Sequence, residues 1–173
     1  MSAHIFQINI SPGGVPKLPV QTGEVTELGI VGDKHNNTKV HGGPTRALCL
    51  YSLERILALQ VEGHPIFPGA TGENLTLAGL DWNAMVPGVR LRLGDEVEIE
   101  ITKYTEPCPK ITPFFAEGDI SRMGQDGHPG WSRVYAKVLR TGKICVGDVV
   151  SEKALACAIC GIMNTRTSQL VDA

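Results

Sequence analysis

Val89-Arg90-Leu91-Arg92-Leu93-Gly94-Asp95-Glu96-Val97-Glu98-Ile99-Glu100-Ile101-Thr102 alternates apolar and polar residues on either side of a Gly-Asp pair. Successive side chains of a strand point to opposite faces, so the pattern predicts a hairpin with one buried and one wet face. Its second arm runs straight into Thr105-Glu106-Pro107-Cys108-Pro109-Lys110. Proline fixes φ, lacks an N–H and drives the preceding residue toward an extended backbone. Cys108 is therefore expected on a stiff piece of chain, off the hydrogen-bond ladder, with its thiol aimed by the scaffold. The plainer alternative is a small apolar residue at a strand exit, since free cysteine is often buried.

The composition around this stretch favours strands and turns. The 173 residues are 42% hydrophobic and carry a net charge of -2, which suits one soluble domain with a real core. Glycine (20) and proline (11) are frequent, and aromatic residues make up 5%. Many short strands fit that mixture better than long helices. No Lys/Arg run marks a nucleic-acid surface, and no apolar run approaches the roughly eighteen residues of a membrane span. The start, Met1-Ser2-Ala3-His4-Ile5-Phe6, lacks the basic and apolar regions of a signal peptide. Five cysteines without a disulfide-like layout fit a reducing cytoplasm.

Upstream, Ile5, Phe6, Ile8 and Ile10 predict a first strand that ends in the turn cluster Ser11-Pro12-Gly13-Gly14-Val15-Pro16-Lys17. Such a loop is either a plain connector or a backbone that approaches a ligand, with Lys17 meeting an anion. Val25 to Val31 reads as extended. In the following loop, His35 and His41 with Asp33 make only a weak zinc pattern. His41-Gly42-Gly43 reads better as backbone shaped for close approach, with Arg46 behind it. A guanidinium fork suits a phosphate or carboxylate, and a surface ion pair is the alternative. Ala47 to Tyr51 is a short apolar strand. Ser52 then caps a helix to about Glu62, with Glu54 in its first turn and Leu53, Ile56, Leu57 and Val61 at helical spacing. Gly72-Glu73-Asn74 reads as a turn before a strand from Leu75 to Leu77. Beyond Cys108, Ile111, Phe114 and Phe115 form a short helical turn. Val134 to Leu139, Thr141-Gly142 and Gly147-Asp148-Val149-Val150 read as a closing hairpin. Arg133, at its start, either orients an anion or sits on a polar strand face.

Taken in order, Gly32-Asp33, His41-Gly42-Gly43-Pro44-x-Arg46-Ala47, Tyr51-Ser52, Pro68-Gly69-x-x-Gly72-Glu73-Asn74-Leu75-Thr76, Gly94-Asp95, Pro107-Cys108 and Gly142-x-Ile144-x-x-Gly147-Asp148 resemble the MOSC domain, named for the C-terminal part of molybdenum cofactor sulfurases. Ser11 to Lys17 resembles its free-standing bacterial members. The resemblance runs from about residue 3 to 151. It sets the domain at 1–151 and leaves 152–173 as a C-terminal extension, a short helix plus a frayed end.

The resemblance implies a mainly β fold, a MOSC-type β-barrel with a few short helices, that binds a molybdenum cofactor (molybdopterin). It makes Cys108 the catalytic residue and metal ligand, and a soft thiolate suits that role. Lys17, His41, Gly42, Gly43, Arg46, Asn74 and Arg133 are the candidates for holding the cofactor, an inference from residue chemistry. The implied activity is reduction of N-hydroxylated compounds such as base analogues, with a separate flavin or iron–sulfur protein as electron donor, because the chain lacks a ferredoxin-like cysteine set. The alternative is a sulfur carrier or cofactor-binding module with a persulfide on Cys108. No pyridoxal-phosphate domain fits in this length, which favours the reductase. Cys157-Ala158-Ile159-Cys160 departs from the family pattern. A short apolar helix against the barrel or another subunit is a better reading there than a metal or redox pair.

Overall fold

The structure is a computed structural model that describes residues 2–34 and 42–153. His35, His41, Cys157 and Cys160 lie outside the described residues, as does nearly all of the expected extension. In chain order the strands are β1 (His4–Ile10), β2 (Leu18–Val20), β3 (Thr22–Thr26), β4 (Gly29–Ile30), β5 (Leu48–Ser52), β6 (Leu75–Ala78), β7 (Arg90–Leu93), β8 (Val97–Tyr104), β9 (Val134–Arg140), β10 (Gly142–Cys145) and β11 (Val150–Glu152). The α-helix among the described residues is α1 (Leu53–Val61). The Ser52 hydroxyl accepts from the Arg55 N–H and so caps it. Single 3₁₀ turns fill several connections, including Pro44–Arg46 and Pro109–Phe114.

The β7–β8 hairpin forms as its alternation requires, pairing Leu91 with Ile99 and Leu93 with Val97. It belongs to an eight-stranded sheet of order β11-β7-β8-β9-β5-β6-β1-β2, while β10-β3-β4 makes a separate three-stranded sheet. The strand pairs are antiparallel except β5 with β6. Two expectations change here. Val25 to Val31 is not one strand: Thr26 turns the chain, its hydroxyl donating to the Gly29 carbonyl at 2.9 Å, and β3 pairs with β4. The closing segments do not pair with each other either, because β10 joins β3 and β11 joins β7.

The fold is mainly β, as expected, but the large sheet is open: its order ends at β11 and β2. The sheet curls nonetheless. The chain entering β11 meets the start of β1 through Ile5 N–H to the Asp148 carbonyl and Gly147 N–H to the Ile5 carbonyl, at 2.9 and 2.8 Å. That contact remains an isolated bridge, His4 with Val149, so no ladder closes a barrel among the described residues.

Register divides the central strands into two unlike faces. Leu50 lies beside Leu75 and opposite Val134, and Leu75 opposite Ile8. A bulge between Ile5 and Gln7 returns Ile5 to this apolar face opposite Leu77. Residues one step along point the other way: Tyr51 beside Thr76, Thr76 opposite Gln7, and Cys49 opposite Tyr135. An ordinary half-buried sheet would give this second face to water. Here Asn9, Cys49, Tyr51, Asn74, Thr76 and Tyr135 are all buried. Loops covering the face contribute the further buried polar residues Ser11, Lys17, Thr71, Glu73, Thr105, Ser132 and Arg133.

Candidate functional site

Cys108 is half-buried, with φ -117° and ψ 141°, the extended backbone its flanking prolines impose. Its carbonyl accepts from the Ile111 N–H at 3.0 Å and opens the 3₁₀ turn Pro109–Phe114, which buries Ile111. The same segment is tied to the sheet upstream. Thr105 donates its N–H to the Arg133 carbonyl at 2.9 Å and accepts at its own carbonyl from the Ser132 hydroxyl at 2.8 Å. A thiol leaving β8 is thus held from both sides.

The turn at Pro44–Arg46 lies against β8, where the Thr102 hydroxyl donates to the Thr45 carbonyl at 2.7 Å. Gly42 and Gly43 both have positive φ, 82° and 83°. A Cβ on Gly43 would meet nothing within 4 Å, so conformation and not crowding calls for glycine there. Arg46, half-buried, ends this turn and lies within electrostatic reach of Tyr135.

Behind these groups lies the buried polar face. Lys17 forms an ion pair with Asp33. Asp33 also accepts from Asn74 Nδ2 at 2.8 Å and from the Ser11 N–H at 2.9 Å. The remaining Asn74 bonds are internal too, with Oδ1 accepting from the Cys49 N–H at 3.1 Å. Glu73 is fully buried and accepts from the Gly69 N–H at 2.6 Å and the Thr71 and Thr76 hydroxyls at 2.8 and 3.3 Å. Arg133 donates through Nη1 to the Thr71 carbonyl, while its buried Nε has no partner.

Burial pushes the Cys49 thiol up, opposed chiefly by the Arg133 guanidinium beside it, so at neutral pH it is uncharged. The Tyr135 phenol is pushed up to about 12, first by burial and then by the Cys49 thiol, with Arg133 and Arg46 pulling the other way. Cys108 also acts on Tyr135. Tyr135 is therefore a neutral hydrogen-bonding group among Cys49, Arg133, Arg46 and Cys108.

Of the residues singled out from the sequence, Cys108, Arg46 and Arg133 each act electrostatically on Tyr135, and Lys17 and Arg133 act on Cys49. Gly42 and Gly43 form the turn before Arg46, and Asn74 binds the layer beneath. Lys17 and Asn74 both engage Asp33. Sequence reasoning missed Cys49 and Tyr135 and took Glu73 for an ordinary turn residue. The signal available was the two-residue spacing of Arg133 and Tyr135 across the start of β9; on β5, buried along its whole length, nothing marks Cys49.

A family model, described as the MOSC domain, matches residues 37–151. The protein YiiM of Escherichia coli (strain K12) is 34% identical over 164 residues, covering 85% of this chain and 71% of that protein. A protein named "Reductase" from Gibberella moniliformis (strain M3125 / FGSC 7600) is 32% identical over 128 residues, which is 71% of this chain but only 22% of that protein. Among solved structures, the crystal structure of YiiM from Geobacillus stearothermophilus superposes with a TM-score of 0.71 at 24% identity, covering 88% of this chain and 75% of that one.

Proposed function

Because the chain belongs to the MOSC domain family, we propose that it binds a molybdenum cofactor with Cys108 as the thiolate ligand and works as the reductase component for N-hydroxylated compounds. The observation that carries this reading is the half-buried Cys108 thiol, fixed at the exit of β8 between two prolines and within electrostatic reach of Tyr135, on which Arg133 and Arg46 also act. The donor set fits such a group. Among the described residues no cluster of three His, Cys, Asp or Glu is placed to hold a bare metal ion. One soft thiolate suits a metal that arrives with its own organic sulfur ligands. Cationic donors suit the phosphate of the pterin: Arg46 behind the positive-φ Gly42-Gly43 turn, and Arg133 with its unpartnered Nε.

When bound, the cofactor supplies a redox metal able to exchange electron pairs with a substrate. The chain's residues supply the rest. Reduction of an N–OH group breaks the N–O bond, consumes two electrons and two protons, and leaves N–H and water. A separate flavin or iron–sulfur protein delivers the electrons. Cys108 would hold the metal, the arginines would hold the anionic end, and Tyr135, protonated at working pH, would offer a donor hydrogen.

The test loads the protein in a host that makes the cofactor and supplies a strong chemical reductant with an N-hydroxylated purine. Reduction should occur, vanish in Cys108→Ser and survive Cys157→Ser and Cys160→Ser. A stable persulfide on Cys108 by mass spectrometry, with no reduction of any such substrate, would overturn the reductase in favour of a sulfur carrier.

A further inference from the structure

One half of the sheet's polar face, across β5, β6 and β1, is buried under loops, while the other half, across β7, β8 and β9, stays open. Along β9 the boundary falls between buried Tyr135 and half-buried Lys137, two residues on and so about 7 Å away on the same face. Register sets Glu100 between Arg90 and Lys137, and Glu98 between Arg92 and Arg140. Each carboxylate is shared by two cations. Glu100 pairs with Arg90 at 2.8 Å and Lys137 at 2.7 Å, and Glu98 with Lys153 at 2.5 Å and Arg140 at 3.8 Å. Arg92 donates through Nη2 to the neutral Asp95 carbonyl at 2.7 Å. At the edge of the covered half, exposed Lys103 stands 6.0 Å from the ring of Tyr135, whose phenol is uncharged. Six cations thus meet two carboxylates at the outward positions, in a chain whose net charge is -2. Cross-strand pairing needs only one cation for each carboxylate, and exposed ion pairs contribute little to stability. The surplus is therefore not something the fold requires. On an open face it attracts an anionic partner and speeds the encounter.

We propose that the open face of β7, β8 and β9 is the docking surface for a small acidic electron-carrier protein. The face runs along β8 from Glu98 and Glu100 to Lys103, and β8 leads on to the exit where Cys108 is held. The two glutamates set among the cations would repel the phosphates of a nucleic acid, whereas a protein surface of mixed but mainly negative charge can match them. Electron-transfer encounters are small and transient, so steering by charge counts for more there than buried area. That the partner carries electrons rests on the proposed function; that an acidic protein binds this face does not. For each N–O bond broken, the partner's reduced flavin or iron–sulfur centre gives up two electrons, in one encounter or two, and leaves oxidised. The two protons come from water.

The experiment measures association of cofactor-free protein with two acidic probes, a purified flavodoxin and a purified [2Fe–2S] ferredoxin, over a range of ionic strength. At least one should bind, with an association rate that falls as salt rises. The triple variant Arg92→Gln/Lys137→Gln/Arg140→Gln leaves Arg90 to Glu100 and Lys153 to Glu98, and should slow association by about tenfold or more. If it lacks a native near-UV spectrum, Arg92→Gln alone should still slow association measurably. Lys143→Gln, exposed on the separate small sheet, should leave the rate unchanged. Binding of neither probe, or unchanged binding in a folded variant of the face, overturns the proposal. So does an equal loss in Lys143→Gln, or a DNA duplex that binds this face more tightly than both probes. In cofactor-loaded protein the triple variant should lose turnover driven by the carrier and keep turnover driven by a chemical reductant; equal loss of both also overturns the docking face. Absence of turnover with either donor in the wild type refutes the proposed function instead, and the binding measurements still decide the face.

Discussion

Replacing Asn74 with alanine should destabilise the fold by about 3–5 kcal/mol. The side chain is 1% exposed, so water cannot take over its bonds. Its Oδ1 accepts the Cys49 N–H at 3.1 Å, and its Nδ2 donates to Asp33 Oδ2 at 2.8 Å and, more weakly, to the Asn9 carbonyl at 3.4 Å. Truncation strands a buried backbone donor on β5 and removes a donor from a buried carboxylate. Each well-formed bond lost this way costs about 1–3 kcal/mol, the one to the charged group at the upper end. The sum is a large part of the roughly 5–15 kcal/mol that holds a domain together. Urea unfolding curves, with the slope checked against wild type, measure the loss. Asn74→Asp sharpens the test, because it keeps the acceptor for Cys49 but sets a carboxylate oxygen where Nδ2 lies 2.8 Å from Asp33. It should be worse than Asn74→Ala at neutral pH, because two like charges would then face each other out of water. A loss below about 1 kcal/mol for Asn74→Ala would refute the reasoning that this side chain is the clamp beneath the site.

Three further predictions follow from the same geometry. Gly69→Ala should cost about 2–4 kcal/mol, since φ is +91° and a Cβ would lie 2.4 Å from the Lys17 carbonyl oxygen; thermal and urea unfolding check it. Stability should fall as pH rises from about 10 to 12. The Tyr135 phenol, at about 12 in the folded chain, lies above its ordinary value, so the unfolded chain ionises first. The loss assigned to it is about 2–3 kcal/mol, which Tyr135→Phe should remove from the pH dependence of urea unfolding. Burial pushes the Tyr51 phenol up as well, so some dependence should persist in that variant. Arg46→Ala should lower pterin retention after gel filtration while leaving the unfolding midpoint close to wild type; retention equal to wild type would make Arg46 a purely structural residue.

What could be read in advance was whatever local chemistry alone dictates. The β7–β8 hairpin follows from strict alternation across Gly94-Asp95, and α1 from Ser52 at its cap and apolar residues at helical spacing. Of Leu53, Ile56, Leu57 and Val61, however, only Ile56 is buried, with Leu59 completing the inner face. The stiff seating of Cys108 follows from its two prolines. Pairing was harder to read. Thr141-Gly142 and Gly147-Asp148 announce turns, but turn residues do not say which distant strand an arm will join, and β10 and β11 go to β3 and β7. The buried polar face was illegible for a related reason. β5 is buried along its whole length, so Leu48-Cys49-Leu50-Tyr51 shows no alternation to mark Cys49 and Tyr51 as facing other polar groups. That face exists only because the loops around residues 11–17, 67–74 and 105–133 fold over it, and coverage by distant loops leaves no periodic trace.

The central claim is that Cys108 holds a molybdenum cofactor. The most direct measurement is molybdenum and pterin content of wild type and Cys108→Ser, both purified from a host that makes the cofactor and both checked for native circular dichroism. Wild type should carry molybdenum and pterin together, and folded Cys108→Ser should have lost the metal, because a hydroxyl on the same rigid loop is a poorer ligand for a soft centre. Equal molybdenum in the two proteins would contradict the assignment of Cys108 as ligand.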